Sequence, residues 1–251
     1  MRQDKGVPKE IVRKNPYQRD YFERGIQTGK SLYTDYRWMP EMTVPMAATM
    51  IDYLRIPRGA RVLDIGCAKG YLVKAMRWLG REAYGYDISD YALSQADPDI
   101  KRYLSKHFPR NYFHFVPAPK ERIGSPNFDF AIAKDVMEHI PMRPLCSLLT
   151  NLRSDVLFII VPLGDGKRYH VPAYELDKTH IHRQPLIWWN RLLQSKGWTI
   201  RSSVPRVEGI KENWASEEMG NGFIVAERMN EPEKRLRISL SSGRARSRSL
   251  S

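Results

Sequence analysis

The sequence predicts an α/β fold built on a mostly parallel sheet. Three observations carry that expectation. Short apolar runs alternate along the chain with segments of helical periodicity, as strands joined by crossover helices do. One run, Val62-Leu63-Asp64-Ile65, leads into a turn, Gly66-Cys67-Ala68-Lys69-Gly70, and then into a helix marked by Tyr71, Leu72, Ala75, Met76 and Leu79. The next run, "REAYGYDIS", ends in an acid, Asp87, 21 residues after Gly66. Strand, glycine turn and helix form the arrangement that binds nucleotides at a switch point of a parallel sheet.

Taken in order, residues 43–56 alternate apolar and polar at helical spacing and pack beside the first strand. Strands are expected near 61–66, 81–87, 112–116, 128–134 and 156–161. Helices are expected at 70–79, 141–153 and 185–196. In the last of these, spacing puts Leu192 and Leu193 in the core with one of Trp188 and Trp189. After Gly197, "WTIRSSVPRV" reads as a strand, and "GFIVAERM" closes the sheet as its hairpin partner.

Composition bounds the rest. A chain of 251 residues with 42% hydrophobic content suits one domain, 43–229, flanked by an N-terminal extension, 1–42, and a tail, 230–251. No run approaches the roughly 18 apolar residues of a membrane span, and the start lacks the apolar stretch of a secretory signal. Two cysteines, Cys67 and Cys146, cannot build a disulfide framework, so an intracellular, cytoplasmic setting is the expectation. The formal charge is +13. Residues 1–37 hold nine Lys/Arg against five Asp/Glu, and 230–251 hold six against two. The Arg/Ser-rich tail "SGRARSRSLS" has little to bury and reads as disordered. It is either a solvated tail or a nucleic-acid contact that grips phosphates.

The extension contains a false nucleotide signal. "ERGIQTGKSLY" has Gly29-Lys30-Ser31, but only three residues separate Gly25 from Gly29. A phosphate-cradling loop needs four, and it follows a buried strand rather than the polar "NPYQRDYFER". Gly25 and Gly29 therefore read as turn residues. Tyr33, Tyr36, Arg37 and Trp38 then make this extension either a lid over the ligand or a segment pinned to the core by its aromatics.

The ligand of the 66–70 loop follows from its chemistry. It lacks the central glycine that admits a pyrophosphate. Asp64 would repel a phosphate but suits an ammonium group. Asp87 can accept both hydroxyls of a ribose. A ribose without a pyrophosphate, joined to an amino-acid end, describes S-adenosylmethionine (SAM).

Five segments, in order, then resemble the class I SAM-dependent methyltransferases: "VLDIGCAKG", "YGYDIS", "FDFAIAKDVMEHI", "DVLFIIVP" and "KTHIHRQPLIWWNRLLQSKGW". The last resembles the branch containing ubiquinone-biosynthesis O-methyltransferases. The resemblance covers about Thr43 to Met229. It implies a Rossmann-like seven-stranded sheet of order 3-2-1-4-5-7-6, with helices on both faces and the last strand antiparallel. It places Asp64, Gly66, Cys67 and Gly70 on the methionine part of SAM, Asp87 on the ribose, Ile88 on the adenine, and Lys134 and Asp135 near the sulfonium. One departure is Ala118, near where the family often has an acid bonding the adenine amino group. Asn15-Pro16-Tyr17 resembles the Asn-Pro-Pro-aromatic motif of base-methylating relatives, but it lacks the second proline and stands in the wrong place. The loop 208–220, with Trp214, would border the acceptor pocket.

Methyl transfer needs alignment of donor and acceptor and a route for the acceptor's proton. His139, Asp135 and His180 are the catalytic candidates: His139 as a base on a hydroxyl, His180 orienting it or taking its place. Asp135, Glu138 and His139 also have D-x-x-E-H spacing, which His180 or His182 would complete as a four-ligand metal set. The set carried forward is Asp135, Glu138, His139 and His182. It is similar to the E-x-x-E-H-plus-His site of methyltransferases acting on the terminal 2′-hydroxyl of small RNAs, where a metal lowers the pKa of the acceptor hydroxyl. The competing reading of Glu138-His139 is structural. A K-D-K-E arrangement, used for 2′-hydroxyl methylation of caps, could borrow Asp135, although the sequence does not place its two lysines and glutamate.

The expectation is methyl transfer from SAM to oxygen of a small-molecule or sugar-containing metabolite. The alternatives are an RNA 2′-hydroxyl methyltransferase, metal-assisted or not, and a non-catalytic module that binds SAM or RNA.

Overall fold

The computed structural model describes residues 15–109, 114–115, 127–212 and 219–229. The tail 230–251, Ala118 and Trp214 lie outside these residues.

The sheet grows from β1 (Arg61–Ile65). On one side β1 pairs in parallel with β2 (Glu82–Tyr86), and β2 with β3 (Leu104–Ser105). On the other side it pairs in parallel with β4 (Phe128–Lys134), which pairs with β5 (Ser154–Pro162). The C-terminal strand β7 (Asn221–Arg228) inserts antiparallel between β5 and β6 (Trp198–Val204). The order is β3-β2-β1-β4-β5-β7-β6. The order in which strands are added reverses at β1, with β2 and β4 on its two sides, and this is where open parallel sheets bind ligands.

Burial on both faces explains the apolar strands. In β1, Val62 joins α3 (Pro40–Leu54) and α4 (Tyr71–Trp78) in a cluster with Met50, Val73 and Met76. Its neighbour Leu63 points the other way. There it packs with Phe128, Leu157, Leu145 and Leu149 from α7 (Met142–Asn151), and with Trp189 and Leu193 from α8 (Leu186–Ser195). That alternation is the two-residue period of a strand held between helical layers. Trp198 is fully buried, and its indole N–H donates to the Leu149 carbonyl at 3.0 Å, tying β6 to α7.

One strand differs from expectation. Among the described residues the ladder beside β2 is made by Leu104 and Ser105. Of the expected span 112–116 only His114 and Phe115 are described, and they form a short turn. Phe115 packs its ring against Tyr84, with centroids 4.7 Å apart, and against Phe128. Phe115 thus serves packing between Tyr84 and Phe128.

Before the domain come α1 (Arg19–Glu23) and α2 (Gly25–Thr28). Between β2 and β3 lie α5 (Asp90–Ser94) and α6 (Pro98–Lys101). No helix among the described residues is long and apolar enough to cross a membrane.

Candidate active site

The cofactor half forms where β1 and β2 end. Gly66 has φ +74°, and a Cβ there would lie 2.3 Å from a Val136 methyl. Gly70 has φ +77°, and a Cβ would lie 2.7 Å from Ile100. A larger residue at either position meets both steric and backbone strain. Between them Ala68 is also left-handed, at φ +49°. Its N–H donates to Asp87 Oδ2 at 2.7 Å, while Ser89 N–H donates to Oδ1 at 2.7 Å. Each Asp87 oxygen thus has one backbone donor and keeps lone pairs for a ligand. Burial raises the pKa of Asp87. Asp64 is buried, which pushes its carboxyl up to about 8, against the pull of Lys134. Burial likewise raises the Cys67 thiol. Ile88 is 45% exposed and lines the same cavity as Asp64, Gly66, Cys67, Asp87 and Lys134. Gly70 shapes the loop from beneath.

The N-terminal segment closes on this loop. Lys69 Nζ donates to Glu23 Oε1 and to the Tyr36 carbonyl, both at 2.6 Å. Ser89 Oγ donates to the Tyr17 carbonyl at 2.6 Å, and Asn15 to the Ile88 carbonyl at 2.8 Å. Tyr21 and Phe22 pack with Ala68 and Ala92, while Tyr33 and Tyr36 rest against them. The segment is therefore pinned, and it also lines the cavity through Tyr17, Tyr21, Tyr33 and Tyr36. The Lys30-Ser31 pair takes no part. Lys30 salt-bridges Asp20 at 2.7 Å, and buried Ser31 donates to the Tyr21 carbonyl at 2.5 Å.

The acceptor half forms after β4. Asp135 has φ +56°, a costly backbone for a non-glycine. Each of its oxygens meets a lysine: Lys134 Nζ at 2.7 Å and Lys211 Nζ at 2.6 Å. Burial pushes the Asp135 carboxyl up, but the two ammonium groups outweigh it and hold it well below the carboxylate range. Lys211, itself left-handed at φ +58°, also bonds Asn221 Oδ1 at 2.8 Å and the Tyr174 hydroxyl at 3.1 Å. All three of its N–H groups are used.

Next to this pair sits a different cluster. Glu138 is fully buried, and neither carboxyl oxygen has a hydrogen-bond partner. His139 Nε2 and His180 Nε2 each lie 3.9 Å from Glu138 Oε1. One ligand atom from each of Glu138, His139 and His180 falls within a 4.8 Å group. The opposite ring nitrogens are occupied. His180 Nδ1 meets the Tyr174 carbonyl at 2.9 Å, so it must donate. His139 Nδ1 meets Thr179 Oγ1 at 2.8 Å. The Thr179 hydroxyl gives its proton to Asp177 Oδ1 at 2.6 Å, so here too the ring nitrogen donates. Both Nε2 atoms are left as bare lone pairs facing a carboxylate. Burial, aided by the neighbouring His180, lowers His139 to about 4, and burial lowers His180 as well. Burial, reinforced by Asp135, raises Glu138.

The metal set expected from sequence changes accordingly. Asp135 is engaged by two lysines and stands apart from the cluster. The His182 ring faces away, its Nε2 on the Ile140 carbonyl at 2.8 Å. His180 takes its place. The backbone N–H groups of Ile181 and His182 donate to the Glu138 carbonyl at 3.0 and 3.2 Å, which docks the 177–182 loop on the turn after β4. Sequence reading missed Lys211, Asp177, Tyr174 and Tyr21. No local motif marks them, because they reach the site from three separate parts of the chain: α1, the segment after β5 and the loop after β6.

Both halves open on one cavity of about 1860 Å³. Met39, Met42, Pro45 and Met46, from α3 and the residue before it, form part of its lining. A nucleotide-type loop, a buried acid with free lone pairs and an adjoining polar cluster meet at the switch point, the arrangement expected of a methyltransferase domain. Comparison with known proteins agrees. A profile described as "Methyltransferase domain" matches residues 43–203, and the chain belongs to that family. It is 33% identical over 97 residues to a ubiquinone biosynthesis O-methyltransferase of Paraburkholderia phymatum, covering 39% of this chain and 40% of that protein. It is 27% identical over 184 residues to an uncharacterised protein of Methanocaldococcus jannaschii, covering 71% of this chain and 47% of that protein. The matches thus span less than half the length of these relatives. Among solved structures, Burkholderia thailandensis 1,6-didemethyltoxoflavin-N1-methyltransferase superposes with TM-score 0.54 at 18% identity, covering 84% of this chain and 85% of that one. It holds its substrate and S-adenosylhomocysteine. An Archaeoglobus fulgidus SAM-dependent methyltransferase superposes with TM-score 0.51 at 17% identity, covering 75% and 97%.

Proposed function

We propose that this enzyme transfers the methyl group of SAM to a hydroxyl oxygen of a small-molecule or sugar-containing metabolite, at the Glu138–His139–His180 cluster. One observation carries the reading: the Glu138 carboxyl, fully buried and without a hydrogen-bond partner, faces the Nε2 atoms of His139 and His180. Such a set receives either an acceptor's proton or a cation. Two imidazoles and a carboxylate suit Mn²⁺ or Zn²⁺ and admit Mg²⁺. The fit is supported by the Nδ1 bonds to Tyr174 and Thr179, the outer-shell pattern of metal-bound histidines. A divalent cation held by Glu138, His139 and His180 would acidify an acceptor hydroxyl.

The chain's own groups do the rest. Asp64 takes the ammonium end of SAM and Asp87 its ribose, with Gly66 and Cys67 giving close backbone approach. Ile88 covers the adenine. Lys134 and Lys211 keep Asp135 ionised beside the sulfonium, where a fixed carboxylate favours the positive donor. Asp135 is then an electrostatic and positioning group, not a base. The methionine wall, Met39, Met42 and Met46, favours an acceptor with an apolar body. The cited O-methyltransferase relative supports oxygen as the target. The lysine pair around Asp135 is what favours the RNA alternative, since K-D-K geometry accompanies 2′-hydroxyl transfer.

The test uses SAM carrying a labelled methyl group, mixed with the protein and an extract of the source cells, with and without EDTA and added Mn²⁺. Label among small molecules that EDTA abolishes and Mn²⁺ restores supports the proposal. Label in RNA moves the acceptor to nucleic acid. Label indifferent to EDTA removes the cation and leaves His139 as the base.

A further inference from the structure

Tyr21 is buried at 5% exposure, beyond the family's matched residues, yet it reaches the acceptor half. Its hydroxyl donates to Asp177 Oδ2 at 2.8 Å. Asp177 is buried too. Its other oxygen takes the Thr179 hydroxyl at 2.6 Å and the Thr179 N–H at 2.9 Å. Thr179 Oγ1 in turn accepts from His139 Nδ1 at 2.8 Å. Four side chains from three separate parts of the chain form one directed relay. Each proton in it has a single destination, because a tyrosine hydroxyl and a threonine hydroxyl have one proton apiece.

The relay also guards the second histidine. Asp177 Oδ2 lies 3.9 Å from His180 Nε2. While Tyr21 donates to that oxygen, one of its lone pairs is taken. Without the hydroxyl, Oδ2 is free to draw a proton onto His180 Nε2, which would cap one of the three facing bases and leave Nδ1 without a proton for Tyr174.

We propose that Tyr21 is a positioning residue which, through Asp177 and Thr179, keeps the Nε2 atoms of His139 and His180 bare and aimed at Glu138. The inference rests on the reading of that cluster as the acceptor site. It adds that the cluster is set from the N-terminal segment. That segment is anchored on the cofactor side, by Glu23 to Lys69 and Tyr91, and by Tyr17 to Ser89. Tyr21 therefore links the two halves: the strap over the SAM loop and the tautomers of the acceptor histidines are one hydrogen-bonded unit.

The experiment is two-dimensional ¹⁵N NMR of the histidine rings in full-length protein, treated with EDTA and without substrate, at neutral pH. The wild type should show His139 and His180 each as a single Nδ1–H tautomer. In Tyr21→Phe, with the ring and its packing kept, His180 should shift to a mixture containing Nε2–H, and His139 should lose its single state. Asp177→Asn, which keeps the shape but alters the acceptor, should disturb both rings as well. Amide spectra close to the wild type certify the fold of each variant. Unchanged ring signals in Tyr21→Phe, with Asp177→Asn perturbed, overturn the role of Tyr21. Wild-type rings already in mixed tautomers overturn the relay itself. The readout needs neither metal nor acceptor, so its failure is separable from failure of the proposed reaction.

Discussion

The two halves of the cavity are built in different ways. The cofactor half comes from one stretch, β1 through the end of β2, about two dozen residues in which Asp64, Gly66, Gly70 and Asp87 sit at fixed intervals. The acceptor half comes from separate pieces. Tyr21 is in α1, Asp135 to His139 follow β4, Tyr174 to His180 follow β5, and Lys211 follows β6. A donor common to many enzymes is met by a contiguous device. In the proposed reading, an acceptor particular to this protein is met by loops whose identities are free to vary on the same scaffold. The backbone shows where conformation has been constrained for this purpose: Ala68, Asp135 and Lys211 are three of the four left-handed non-glycine residues among those described. Their strain persists because surrounding bonds fix them.

Breaking one half while sparing the other gives the largest contrast. Glu138→Gln should lower the transfer rate by about a thousandfold, on the order of 4 kcal/mol of barrier, while SAM affinity stays within about twofold. The check is single-turnover transfer beside calorimetric SAM titration. Equal losses in both would mean the halves are not separable. Phe128→Ala acts away from both halves, since Phe128 is fully buried in the core at the start of β4. It should cost about 3–5 kcal/mol of stability, read by denaturant unfolding, without selective loss of either function.

A smaller effect separates the halves by pH. The Asp64 carboxyl ordinarily ionises near 3.8, but in the free folded enzyme near 8. At pH 6 it is therefore protonated, whereas the complex with the SAM ammonium needs it ionised. The free enzyme holds one more proton than the complex, so affinity should rise with pH toward 8, by up to about tenfold per unit. Above about 8 the ligand's own amine begins to lose its proton, so the rise should end there. Calorimetry in buffers of different ionisation enthalpy should show one proton released at pH 7, and Asp64→Asn should abolish the release. The same shift sets the sign for stability. The unfolded chain gives up this proton at a lower pH, so Asp64 weakens the ligand-free fold as pH rises from about 4 to 8. The smallest expected effect is at Lys30→Ala, which should leave SAM affinity unchanged, because Lys30 serves only an exposed pair with Asp20.

The same division explains what the sequence revealed. Six of the seven strands were legible from apolar runs, and the cofactor acids from their spacing, because those signals are local. Among the described residues the short β3 falls at Leu104–Ser105, and an aromatic run such as 112–116 signals packing as readily as pairing. In the acceptor half the sequence pointed to Glu138 and His139 through D-x-x-E-H spacing but misassigned their partners. Asp135 lies three residues before Glu138, yet its left-handed backbone turns its carboxylate to the lysines. His180 and His182 are two residues apart in a loop without regular structure, where His180 faces Glu138 and His182 bonds the Ile140 carbonyl, and nothing in "THIH" says which faces in. Lys211 and Tyr21 arrive from 76 and 114 residues away from Asp135, across contacts that only folding creates.

Calorimetric titration of SAM into Asp87→Ala, with the wild type and Glu138→Gln alongside, tests the division of labour most directly. In the proposed complex Asp87 offers both oxygens to the ribose, and charge-assisted bonds are worth about 1.5–3 kcal/mol each. Asp87→Ala should therefore weaken SAM by about a hundredfold or more, with Glu138→Gln near wild type. An unchanged affinity in Asp87→Ala would contradict the placement of the donor at the end of β2.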